Sequence, residues 1–155
     1  MAKKKKNIIK PRVADEHRII KPRQEQDENI TGYPVFRYDM IDRDGPFAFN
    51  LARKDFNHRL VLEKIMTYSC MTWTDIRMQT HDRSNKSKHH PLEDASRLSG
   101  DAQERLKKMH REQLSDELFS FALTNKLRLI GYLHGDDFHV FWYDAEHGVY
   151  PSAKK

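Results

Sequence analysis

The chain has a single cysteine, Cys70, which excludes an internal disulfide and a cysteine-rich zinc site. A reducing cytoplasm is the compartment that this usage fits. No run approaches the roughly 18 apolar residues needed to cross a membrane, so no membrane partner is expected. The opening segment carries Lys3, Lys4, Lys5 and Lys6 but no apolar core, unlike a secretory signal. Only six glycines occur. They form neither a phosphate-cradling loop nor a dinucleotide fingerprint, and G-x-S-x-G and H-E-x-x-H are also missing. No cofactor is therefore expected. Apolar content is 37% against 33% charged, polar enough to expect some of the chain to lie outside the core. At 155 residues there is material for one hydrophobic core rather than two.

The net charge of +5 is unevenly spread. Residues 1–30 hold nine Lys/Arg and five Asp/Glu, or +4, which leaves 19 basic and 18 acidic side chains for residues 31–155, or +1. Any affinity of the body for nucleic acid must therefore come from local arrangement. The first 30 residues read as a basic tail, disordered or partner-binding. They contain a short repeat, Ile8-Ile-Lys-Pro-Arg12 and Ile19-Ile-Lys-Pro-Arg23, whose prolines disfavour a helix. Residues 31–151 read as one α+β domain and 152–155 as a C-terminal tail.

Within the domain, Val35–Ile41 alternates as a strand does. From Lys54 the period becomes helical. Phe56, Leu60, Val61, Leu62, Ile65 and Met66 suggest a broad apolar stripe, ending near Ser69 and Cys70, the latter expected as a small buried thiol. Thr72 to Asp75 resembles a capping box opening a second, short helix, with Trp73 in the core. A third helix is expected after Ser99. Leu118–Thr124, Leu127–Leu133 and Phe138–Asp144 then read as consecutive strands, the last two joined by a hairpin at Gly135. A final short strand or edge segment is possible over Glu146–Tyr150. The predicted order is strand, helix, helix, then a three-stranded antiparallel meander against the helices.

Strict alternation divides the last hairpin into two faces. Leu127, Leu129, Leu133, Phe138, Val140 and Trp142 are expected in the core. Arg128, Tyr132, His139 and Tyr143 then share an open face, with Ile130 and Phe141. A guanidinium binds phosphate in a fork, a tyrosine ring stacks on a base, and a histidine moves a proton near neutrality. An exposed sheet also carries such residues with no further role. The polar loop at residues 80–91 is the rival for chemistry, with His81, Lys86, Lys88, His89 and His90. Metal-free cleavage of a phosphodiester needs a base, an acid and cations, and all three types occur there. A solvated loop and a metal site are the other readings left open. Adjacent histidines in extended chain point apart, which disfavours a shared metal.

Three pieces resemble a widespread group of small bacterial proteins. They are Met71-Thr-Trp-Thr-Asp-Ile76; Lys88-His-His90 with Asp101-Ala-Gln-Glu-Arg-Leu106; and Leu127–Tyr132 with Phe138–Pro151. The order of elements is similar to that of the RelE/ParE superfamily of toxin components, although the loop at 80–91 and the basic tail are additional. The resemblance implies a toxin-like, metal-independent endoribonuclease acting on RNA, often at the ribosome, and held inactive by an antitoxin protein. It also implies roles for Arg128, Tyr132, His139, His147 and Tyr150. The expectation drawn from all of this is catalysis by His89, His90, His139 and Arg128, with His81, Lys86, Lys88, Tyr132 and Tyr143 binding RNA. The alternative is a non-catalytic module that binds nucleic acid or protein through the tail and the open face.

Overall fold

The computed structural model describes residues 32–81 and 85–152. The basic tail, its repeat and Arg83 of the polar loop lie outside the described residues. Three α-helices pack on a five-stranded, mostly antiparallel sheet. In chain order the elements are β1 (Val35–Arg37), α1 (His58–Ser69), α2 (Trp73–Arg77), β2 (His90–Pro91), α3 (Gly100–Lys108), β3 (Leu118–Ala122), β4 (Arg128–His134) and β5 (Asp137–Asp144), with 3-10 turns at Ala95–Arg97 and Glu112–Leu114. The strand order is β1-β5-β4-β3-β2. β1 runs parallel to β5, and the remaining pairs are antiparallel. Beyond the first strand and the three consecutive strands expected, the sheet gains the short β2, and β1 is shorter than the Val35–Ile41 stretch expected. Two short segments close its edges, and one of them comes from the histidine loop.

Local chemistry accounts for the helix boundaries. Asn57 Oδ1 accepts from the Leu60 N–H at 3.0 Å and caps α1. Thr72 Oγ1 accepts from the Asp75 N–H at 3.2 Å, as a capping box requires. Ser99 Oγ accepts from the Ala102 N–H at 3.2 Å and starts α3. The stripe on α1 is narrower than expected. Val61 and Tyr68 are buried, whereas Leu62 and Met66 face solvent. Consecutive helical residues lie about 100° apart, so Leu60, Val61 and Leu62 cannot all point inward. Cys70 is exposed rather than buried.

Among the described residues both faces of the sheet are covered at its centre, with Tyr132 and His139 left half-buried toward one end. On one side, α1 and α2 lay Val61, Tyr68, Trp73 and Ile76 against Phe119, Phe121, Leu129 and Phe138. On the other, the segment from Leu92 to Leu114, with Phe47 and Val149, buries Leu118, Ile130, Phe141 and Trp142. Asp42 fastens this second layer. Its carboxylate accepts from Arg105 Nε at 2.9 Å, Arg105 Nη2 at 2.7 Å and Trp142 Nε1 at 3.0 Å. Burial alone would raise the Asp42 pKa, but these donors outweigh it and hold the carboxyl below its usual range.

A β-bulge explains the misassigned faces. Gly131 pairs with Val140 and Ile130 with Trp142, so Phe141 is an extra residue in β5. From that point the inward and outward sets exchange. Trp142 joins Phe141 in the second core, and Tyr143 turns toward the helices. There Tyr143 stacks on Phe56 with ring centroids 4.4 Å apart. Its hydroxyl donates to the Asp55 carbonyl at 2.9 Å and accepts from the Asn57 N–H at 3.0 Å. The expected base-stacking tyrosine is in fact a core residue that orients the start of α1.

Gly131 makes the bulge possible. A Cβ built there would lie 2.0 Å from the His139 carbonyl oxygen, whereas one at Gly100 would meet nothing within 4 Å. Gly131→Ala is therefore expected to destabilise the fold by about 2–3 kcal/mol, with Gly100→Ala close to neutral. Urea denaturation of the two variants checks this. Equal midpoints would show that the backbone approach at the bulge is not a constraint.

Candidate functional site

At the end of the sheet where β4 begins, the histidine loop, the β3–β4 connection and the turn after β5 surround a cleft of about 890 Å³. Its basic side chains are Lys86, Arg97, Lys126 and Arg128, and its imidazoles are His81, His90 and His147. Glu93 is the one carboxylate among its lining residues. Asn125, Tyr150 and Ser152 complete the polar wall.

Arg128 forms the inner end. It is only 4% exposed. Nη1 donates to the Lys88 carbonyl at 3.1 Å and to Ser120 Oγ at 3.3 Å, and Nη2 donates to the Asn125 carbonyl at 3.4 Å. Nε has no partner among the described residues. Nε is itself buried, so the donor Arg128 retains for an anion is the second N–H of Nη2, of which only one is used by the Asn125 carbonyl. Burial lowers the Arg128 pKa and the Asp144 charge raises it, but an arginine stays protonated under any ordinary condition.

Asp144 shapes the wall contributed by the chain after β5. Oδ1 accepts from the Gly148 N–H at 2.7 Å, and Oδ2 from the Val149 N–H at 3.0 Å. This fold-back places His147 at φ +59°. The segment Glu146–Tyr150 is consequently a stapled turn rather than a strand. The Arg97 guanidinium lies 4.5 Å from the Tyr150 ring centroid, a cation–π contact that holds the ring on the rim.

The residues expected to act together separate into four places, one of them the first core, which takes Tyr143 and His89. His81, Lys86, His90 and Arg128 share the cleft. Lys88, one residue from His89, faces a neighbouring cleft instead. His139 lies toward the far end of the strand pair, beside Tyr132. Tyr132 and Arg128 are four residues apart on one strand, about 13 Å, and Ile130 between them is sealed in the second core. There His139 Nδ1 bonds Asp39 Oδ1 at 2.9 Å, and its ring stacks loosely on Tyr132 at 5.9 Å.

His89 is not available for chemistry. It is 1% exposed. Nδ1 accepts from the Ala122 N–H at 3.0 Å, which leaves Nε2 to donate to Gln79 Oε1 at 3.0 Å. Its ring lies against Tyr68 and Phe121. The adjacency of His89 and His90 explains the correction. In extended chain one side chain enters the core while the next faces the cleft.

The two deeper cleft histidines are poised neutral. Burial lowers the His90 pKa and Arg128 reinforces it, against a raising effect from the Pro91 carbonyl and Glu93. His90 Nδ1 bonds that carbonyl at 3.0 Å, so Nε2 carries the lone pair. Burial and Arg128 also lower the His147 pKa, with Asp144 opposing. Among the described residues no three His, Cys, Asp or Glu side chains gather closely enough to hold a metal ion. No described helix is long and apolar enough to cross a membrane.

Lys126, Arg97 and Asn125 were not singled out from the sequence, because nothing in their spacing marks them. His147 and Tyr150 were indicated only by resemblance. Comparison with family models, curated proteins and solved structures found no match.

The neutral core histidine has a consequence for stability. Burial pushes the His89 pKa down to about 3, against about 6.5 in the unfolded chain. Between these values the unfolded state binds the extra proton. The contribution of His89 is therefore complete above pH 6.5 and is lost as pH falls toward 3, at up to about 1.4 kcal/mol per pH unit. Urea unfolding between pH 7 and 4 checks this. His89→Gln should be less stable at pH 7 and should have a shallower pH dependence. An unchanged slope would mean that His89 does not titrate on unfolding.

Proposed function

We propose that the chain binds RNA through its phosphate backbone in the cleft around Arg128. One observation carries this reading. Four Lys/Arg side chains and three histidines line the cleft with one carboxylate, Lys126 being also paired with Glu146 at 3.2 Å on the rim, on a domain whose overall charge is nearly balanced. Concentrating cations in a concave site raises its potential above what the net charge suggests, and a phosphodiester chain is the polyanion that such a site suits. Arg128 supplies a fixed donor at the inner end, and Lys86, Arg97 and Lys126 supply charge around it.

Fluorescence anisotropy with a labelled single-stranded RNA tests this reading. Binding should weaken linearly on a log–log plot against salt, and Lys86→Glu/Lys126→Glu should weaken it further. Burial lowers the His90 and His147 pKa values in the free protein, and the negative charge of an entering phosphate raises them. Binding should therefore take up protons and tighten as pH falls below neutrality. Affinity independent of salt, or unaffected by the double charge reversal, would refute the reading.

A second reading rests on the presence of two histidines beside a buried arginine. With its Nε2 lone pair, His90 would accept the proton of a 2′-hydroxyl. The 2′-oxygen would attack phosphorus, and His147, protonated once the charge of the bound phosphate raises its lowered pKa, would give its proton to the departing 5′-oxygen. Arg128 would stabilise the charge that develops on the phosphoryl oxygens. The products are a 2′,3′-cyclic phosphate and a 5′-hydroxyl. This keeps the expected metal-independent, toxin-like endoribonuclease but replaces His89 and His139 with His147. The RelE/ParE-like meander, the ribosome as a site of action and an antitoxin partner belong to this second reading.

Cleavage of RNA in EDTA, alone and with ribosomes, is the assay. Wild-type protein should yield cyclic-phosphate ends, and His90→Ala and His147→Ala should each lower the rate at least about 100-fold while retaining the affinity measured at alkaline pH. On induction the wild type should arrest growth and the variants should not. Binding without product would leave the first reading alone.

A further inference from the structure

We propose that the Arg128 cleft continues into a second phosphate subsite, built on Lys64 and Lys88, so that the two form one track for single-stranded RNA. This rests on the RNA-binding reading above and adds the form of the substrate. The second cleft, about 710 Å³, lies between α1 and the histidine loop, and no Asp or Glu is among its lining residues. Lys64 comes from α1 and Lys88 from the loop, and Asn125 lines both clefts.

The divider is a narrow ribbon with two usable sides. Thr80 and Ser87 form an antiparallel bridge, and the Lys88 N–H donates to the Gln79 carbonyl at 2.8 Å. Along this ribbon Gln79, Thr80 and Lys88 line the second cleft, whereas His81, Ser87 and His90 line the first. Arg128 is bonded to the Lys88 carbonyl at 3.1 Å, so the cation at the inner end of the first cleft fixes the backbone that presents Lys88 to the second.

The second cleft offers donors without competing acids. Neither the Lys64 nor the Lys88 ammonium is paired with a carboxylate among the described residues. Thr124 Oγ1 accepts from the backbone N–H groups of Lys126 and Leu127 at 3.3 and 3.0 Å, which leaves its hydroxyl proton to donate. A strand that occupies both clefts passes Asn125, which lines each of them. A single strand bends at each nucleotide and can follow the two clefts around the ribbon, which a stiff duplex does far less readily.

The test uses the full chain with a ten-nucleotide single-stranded RNA, a dinucleotide and a ten-base-pair duplex, all read by anisotropy or competition at several salt concentrations. Lys64→Ala/Lys88→Ala should weaken the ten-nucleotide strand several-fold and make its log–log salt slope shallower by about 1.4, two phosphate contacts at roughly 0.7 each. Dinucleotide binding should be unchanged, and the duplex should compete poorly. An unchanged slope for the long strand, or a duplex that competes equally well, would overturn the track and leave the Arg128 cleft standing. Failure of every RNA to bind the wild type would overturn both.

Discussion

Arg128 ties the histidine loop, 40 residues away in sequence, to the strand pair on which it stands. Its Nη1 group holds the Lys88 carbonyl of the histidine loop and the Ser120 hydroxyl of β3, and Nη2 reaches the Asn125 carbonyl of the β3–β4 turn. A cation this buried is tolerated only because backbone and side-chain oxygens replace its water. Asp144 behind it contributes favourable charge while its own oxygens are spent on the turn that carries His147. The same guanidinium therefore sets the wall between the two clefts and depresses the basicity of the neighbouring imidazoles. Removing it would release the loop and the potential together.

The sheet shows what pattern reasoning can and cannot reach. The first helix begins at His58 after the Asn57 cap, four residues beyond the expected Lys54, with Phe56 outside it, whereas the helix starts at Thr72 and Ser99 follow from side-chain caps, which are local and visible in sequence. The hairpin at Gly135 is legible for the same reason, since φ there is +60°. The bulge is not local. It depends on Gly131 admitting the His139 carbonyl across the strand pair, and one extra residue reverses every assignment beyond it. For that reason Tyr143 was expected outside and lies inside, and Trp142 is buried on the face opposite to the one expected. The covering of the second face by residues 92–114 was equally invisible, because an apolar residue such as Ile130 or Phe141 on a supposedly open face does not reveal what lies over it.

For the site, residue type was more legible than residue grouping. The histidine loop and Arg128 stood out from the sequence, and they do meet. Period-two geometry then divides the loop, sending His89 into the core between Ala122 and Gln79 and His90 into the cleft. Lys126 and Arg97 join only through tertiary placement. Tyr132 and His139 also pair as expected, but the second core separates them from Arg128. They form a surface cluster with Asp39 rather than a part of the cleft.

Proton NMR of the histidine imidazoles during titration with a single-stranded RNA at low salt tests the central claim most directly. The account predicts that His90 and His147 shift and that their pKa values rise as RNA is added, while His89, His134 and His139 stay as they are. A response confined to His134 and His139, or no response at saturating RNA, would contradict it.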